Sequence, residues 1–214
     1  MTREGFGMTP ASKQAGWSFG LLWMAASTVG LALGSIAHEN AAKLLTDAPP
    51  AVIALTITAG LYPLIATLPG FLHWLILRRW FPRAGWWILA SGAGSLLGFL
   101  VMGWGLGVAD TQGGTSFARS AFPASMAVAG AVVGTLQWVV LRRWVPRAGW
   151  WVLSSSVSWI AAEYAYLTLT RAGDVQLLWG AVVSGTLSGA ITGLTLVARV
   201  RNTRRNDNVA GPDP

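Results

Sequence analysis

Six long apolar runs divide the chain, at about residues 17–37, 51–77, 86–108, 122–141, 150–170 and 177–198. Arginines, prolines and small polar residues gather between them. A helix needs about 20 apolar residues to cross roughly 30 Å of hydrocarbon, and each run is of that order. Alternation with period two is absent, which argues against a transmembrane barrel. The pattern therefore predicts an all-α polytopic membrane domain over residues 17–198, with six transmembrane helices. A polar tail at 1–16 precedes it, and a basic, disordered tail at 199–214 follows. Run one also reads as a signal peptide cleaved at Ser35-Ile36-Ala37, but its apolar stretch exceeds the usual core of about 7–15 residues.

One connecting stretch occurs twice. Residues 73–87 read HWLILRRWFPRAGWW and residues 137–151 read QWVVLRRWVPRAGWW, a shift of 64 with eleven of fifteen positions identical. Pro82 and Pro146 should stop the incoming helix, and Gly85 and Gly149 should supply backbone freedom for the turn. Runs one, three and five open with Gly-Trp (Gly16-Trp17, Gly85-Trp86, Gly149-Trp150). Runs two, four and six end in arginine. The expected architecture is three tandem helical hairpins related by an axis along the membrane normal. The 38–50 connection fits this scheme least well.

Charge then orients the hairpins. Twelve of the fifteen cationic residues fall in the 1–16 tail, the two repeated turns and the 199–214 tail. Lys43, Arg119 and Arg171 lie on the other side, with Glu39, Asp47, Asp110 and Asp174. Cytoplasmic loops retain Lys and Arg, so both termini and both turns should be cytoplasmic, in a bacterial inner membrane. The chain is 53% hydrophobic and 11% charged, with mean hydropathy +0.52 and net charge +7. Soluble domains carry about 25% charged residues. The positive charge is thus a topology signal, and no nucleic-acid partner is expected. The chain has no cysteine, which removes disulfide and thiolate chemistry.

The turns combine Arg78, Arg79, Arg83, Arg142, Arg143 and Arg147 with Trp80, Trp86, Trp87, Trp144, Trp150 and Trp151. At headgroup depth this set suits anionic lipids or an acidic protein partner. The plainer alternative is an interfacial anchor that sets depth and topology. Small residues four apart, Gly130 and Gly134 in run four and Gly185, Gly189 and Gly193 in run six, suit close helix packing. Intramolecular packing is the simpler reading. Run six is otherwise the candidate face for a homo-oligomer, with Thr186, Ser188, Thr192 and Thr195 available for interhelical hydrogen bonds.

Glu163 is the one acid deep in an apolar run. Ser156, Trp159, Glu163, Tyr166 and Thr170 share a helix face. An intramembrane carboxylate marks an ion or ligand pathway, or a buried structural pair. His73 and Gln137 occupy equivalent places in the two repeats and either line an inner vestibule or bond a neighbouring helix. Pro63 and Pro69 interrupt run two, as helices at transporter sites are interrupted, or merely kink it. Two histidines and no cysteine give a metal site little support, and no cofactor motif is present.

The turn, Gln137-Trp138-x-x-Leu141-Arg142-Arg143 followed by Ala148-Gly149-Trp150-Trp151, resembles an element of uncharacterised bacterial multi-pass membrane proteins with tandem hairpin repeats. The first copy differs in carrying His73. The resemblance implies membrane location and adds nothing catalytic. The leading functional expectation is a non-enzymatic scaffold, accessory subunit or sensor whose turns meet lipid or a partner. The alternative is a small transporter or channel built on Glu163. An intramembrane enzyme ranks third, because no acid–base–nucleophile set can be assembled.

Overall fold

A computed structural model describes residues 16–49, 52, 56, 62–145, 148–170 and 175–209, with side chains for all of these except 62–66, 105–121, 170, 175–176 and 200–209. The regular elements among them are helices: α1 (Trp17–Leu44), α2 (Tyr62–Leu77), α3 (Trp86–Leu141), α4 (Trp150–Thr170) and α5 (Val175–Val209). Four stretches are long and apolar enough to cross a membrane: Trp17–Leu44, Trp86–Trp104, Phe122–Leu141 and Leu177–Arg199. The chain thus has the helices of a membrane protein. Most of the 51–61 part of run two lies outside the described residues, as do Pro146 and Arg147 and the 1–15 tail.

Two helices, α1 and α5, end later than the hydropathy pattern suggests. α1 passes the expected end at 37 and runs through Ala41, Ala42 and Lys43, which are good helix formers, toward Pro49. An ion pair of 2.7 Å between Glu39 and Lys43, one turn apart, lies on its exposed surface. α5 likewise continues through the basic stretch to Val209, past the expected end at 198. The helical assignment also spans residues 109–121, expected as a loop.

α3 cannot be one rod, although it is helical over 56 residues. A straight helix of that length would be about 84 Å long. Instead a Cβ added at Gly94 would lie 3.0 Å from Val133 Cα, and one at Gly98 would lie 3.1 Å from the Ala129 carbonyl oxygen. The segment doubles back, so that α3a (Trp86–Trp104) packs antiparallel to α3b (Phe122–Leu141).

The legs close into a ring. A Cβ on Gly30 of α1 would meet Pro69 of α2 at 2.7 Å, and one on Gly70 of α2 would meet Ser91 of α3a at 2.4 Å. On α3b, Gly130 and Gly134 sit equally close to Ser156 and Ser155 of α4, at 2.8 and 2.7 Å. Ser184 of α5 donates to the Ala162 carbonyl of α4 (2.6 Å). On α5, Gly185 and Gly189 back onto Thr28 and Met24 of α1, each at 2.6 Å, and Gly193 lies against Trp23. Numbers rise on one leg as they fall on its neighbour, so every adjacent pair is antiparallel. The glycines admit this approach because no side chain intervenes. The stripe on α5 is therefore occupied by α1 within the same chain.

Polarity is inverted relative to a water-soluble protein. Ser27, Ser91, Ser95, Ser155, Ser158, Ser184, Thr192, His73 and Gln137 are buried, whereas Leu89, Leu97, Trp104 and Leu153 face outward, Leu153 with 69% of its surface exposed. A continuous leucine surface around a hydroxyl-rich centre suits lipid as the surrounding solvent.

Candidate functional site

Three tryptophans meet at the centre of the ring, near the repeated turns. Trp23 of α1, Trp87 of α3a and Trp151 of α4 are fully buried. Their ring centroids form a nearly equilateral triangle of 5.6, 5.7 and 5.9 Å, with interplanar angles of 71°, 67° and 88°. Edge-to-face contacts of this kind are favoured by the aromatic quadrupole. The three positions are separated by the same 64-residue shift that relates the two turns. Below them Phe19, Leu77, Leu141, Val145, Leu196 and Val197 fill the core, so the turn end of the bundle is closed.

One helical turn further in, Ser27, Ser91 and Ser155 repeat the same shift. Ser27 shares a hydrogen bond of 2.9 Å with His73 Nε2. In the next hairpin Gln137 Nε2 donates to Ser91 Oγ at 3.0 Å. His73 and Gln137 each bond a neighbouring helix and line a central space. The indoles are held by the second helix of the preceding hairpin. Trp151 Nε1 donates to Gln137 Oε1 (2.9 Å), and Trp23 Nε1 donates to Thr192 Oγ1 (3.0 Å). The place equivalent to Gln137 beside Trp87 is filled by His73, which lies flat on Trp23 at 3.8 Å instead. Trp87 Nε1 is buried and has no hydrogen-bond partner among the described residues.

A cavity of about 190 Å³ extends from this tryptophan triangle toward the far end of the bundle. All six legs contribute to it: Leu31 from α1, Pro69 from α2, Ser95, Phe99 and Met102 from α3a, Met126 and Val133 from α3b, Ser158, Trp159 and Glu163 from α4, and Ser188 from α5. Hydroxyls zip its α4–α5 wall, with Ser188 donating to Ser158 (3.4 Å) and Ser154 to Thr195 (3.2 Å). Of the residues singled out from sequence, Glu163, Trp159, His73 and Gln137 meet in this one space. Tyr166 is half-buried and stands outside the lining. Ser156 bonds the Val152 carbonyl and packs on Gly130. No cluster of metal-ligating side chains occurs among the described residues.

The turns need two corrections. Of each Trp-Trp pair only one member is superficial: Trp86 is exposed, and Trp150 is half-buried beneath Arg199. Trp87 and Trp151, expected at headgroup level, are core residues, because consecutive helical positions point about 100° apart. Trp80 and Trp144 pack partly against the same core. The left-handed backbone position is Arg83 (φ 58°), not Gly85, which has helical φ −56°. Arg78, Arg79, Arg142 and Arg143 are exposed. Arg78 lies over the Trp74 ring and Arg142 over Trp138, at 5.0 and 5.3 Å.

The sequence pattern singles out none of Trp23, Ser27, Ser91 and Ser155 as a site residue, and marks Thr192 only for interhelical hydrogen bonding. The turn repeat, carried one hairpin further back at the shift of 64, would have found the first four. The Gly-Trp openings hid it, since Trp17 precedes Trp23 by six positions and belongs to a different register. Comparison with known proteins returns no match to a family model, a curated protein or a solved structure.

Proposed function

We propose that the chain is a polytopic membrane protein of six crossings, in three antiparallel hairpins, whose central cavity binds a small ligand and carries it across the bilayer. The observation that carries this reading is the cavity shared by all six legs, which gathers Glu163, Trp159, His73 and Gln137. Small-molecule sites between bundle helices are concave, mainly apolar and fixed by a few convergent polar groups, as here. The excess of arginine at the turn end supports cytoplasmic turns and termini in a bacterial inner membrane. The tryptophan triangle is then an inner gate, and Glu163 lies toward the outer face. Exposed Arg78, Arg79, Arg142 and Arg143 support anionic-lipid contact at the same end, and a scaffold or sensor role for those turns is the second reading.

The absence of native cysteine makes the test direct. Ser95→Cys and Ser158→Cys, introduced singly, should be labelled by a membrane-impermeant methanethiosulfonate, whereas lipid-facing Leu97→Cys should not. Labelling from each face in turn supports a carrier. Labelling from one face alone supports a receptor and sinks the carrier reading. Protection from both faces would show a dry core and remove the ligand reading.

A further inference from the structure

The far end of the cavity holds an acid, Glu163, with no opposite charge beside it among the described residues. Glu163 lines the cavity, and among the described residues it has neither an ion-pair nor a hydrogen-bond partner. Among the described residues no lysine or arginine lines the cavity with it. An ionised carboxylate in such surroundings is costly unless another charge compensates it.

The walls beside it are aromatic. Trp159 lies one turn earlier on α4, on the same helix face. Its ring packs against Phe99 of α3a with centroids 5.4 Å apart and planes tilted by 55°, and Met102 continues this wall. Aromatic faces attract cations through their quadrupole, most strongly when the cation is shielded from water, and aromatic cages recognise alkylated ammonium groups. The lone carboxylate and the aromatic wall therefore favour the same kind of guest. A hard inorganic cation would need an oxygen cage of about six ligands, which a wall of indole, phenyl and thioether does not supply. An anion would meet Glu163 and, among the described lining residues, no positive charge.

Size limits the guest further. A cavity of about 150 Å³ accommodates benzene, so one of about 190 Å³ takes a molecule little larger. Ser95 and Ser158 lie between Glu163 and the tryptophan triangle; the Ser158 hydroxyl donates to the Ser155 carbonyl and accepts from Ser188, which leaves it one lone pair for a donor on a polar tail. Building on the reading of this cavity as a ligand site, we propose that Glu163, Trp159 and Phe99 form a site for a small organic ammonium ion. Its cationic head sits against the carboxylate and the ring faces, and its tail points toward the serines.

Choline and 3,3-dimethylbutan-1-ol have the same shape and differ in the charge at one atom. Calorimetric titration of the purified full chain should show saturable choline binding, at least about tenfold tighter than the alcohol. Glu163→Gln should reduce that preference severalfold while keeping the wild-type elution profile, the aromatic faces retaining the remainder. Trp159→Leu should weaken choline by about tenfold and the alcohol much less. If Glu163→Gln does not fold, the wild-type ratio and the Trp159→Leu variant carry the test. Equal affinities for choline and the alcohol would overturn the ammonium site and leave the ligand cavity standing. Choline binding unchanged in Glu163→Gln, or no choline binding at all, would also overturn it. Failure of the cavity cysteines to label is a separate result and removes the underlying reading instead.

Discussion

At the scale of single residues, the three central indoles are alike in packing and unlike in bonding. Trp23 and Trp151 each donate a hydrogen bond, and Trp87 does not. Replacing Trp by Phe keeps the aromatic triangle and deletes only the N–H. Trp151→Phe should therefore cost about 1 kcal/mol more than Trp87→Phe, since it leaves buried Gln137 short of a partner. Thermal unfolding in detergent reads the difference, and equal losses would contradict the bonding pattern. A second prediction concerns the turn. Gly85 has helical backbone angles, and a Cβ there would meet nothing within 4 Å. Gly85→Ala should be neutral or should raise stability by up to about 1 kcal/mol, whereas a turn that needed glycine would lose stability. From sequence, Glu163, His73 and Gln137 were legible because polar residues in apolar runs stand out, and Trp159 because it shares a helix face with Glu163. Trp87 and Trp151 were misplaced because a tryptophan beside an arginine turn reads as interfacial until its helix face is known.

Among elements, the glycine stripes were legible and their partners were not. Spacing of four says that something comes close, and only the packing says what. On α5 the partner is α1, whose backbone would sit 2.6 Å from a Cβ on Gly185 or Gly189. Gly189→Leu should thus separate α1 from α5, costing about 1–3 kcal/mol or more through overpacking. Gly103→Leu, at a position with no atom within 4 Å, should leave the thermal transition close to wild type. Equal effects at the two sites would show that the stripe is not a contact. Helix ends were the least legible part. Hydropathy stops at the membrane surface, but backbone hydrogen bonding continues through Ala41–Leu44 and through the basic stretch of α5.

For the whole molecule, the all-helical class and the run of apolar segments were legible, because about 20 apolar residues in a row admit few other uses. Ring closure was not, since no local pattern states that the first helix meets the last. The inverted polarity yields a prediction at this scale. Leu97 points out of the bundle, and Leu97→Lys should cost about 2.5–3.5 kcal/mol of membrane insertion if lipid lies there. Leu97→Phe should insert normally, and a glycosylation-tag insertion assay separates the two. Closure has one further consequence. α1 and α5 meet like any other pair of legs, with Gly20 reaching Val197 at the turn end, where the repeated connections also lie. Nothing in the packing marks α1 as the beginning. A circularly permuted chain, opened at the turn before Trp86 and joined by a short linker from residue 199 to residue 16, keeps every interhelical contact and should reach the same bundle. Its insertion order would differ, with α1 and α2 arriving last to complete a seam that the natural chain completes with α5.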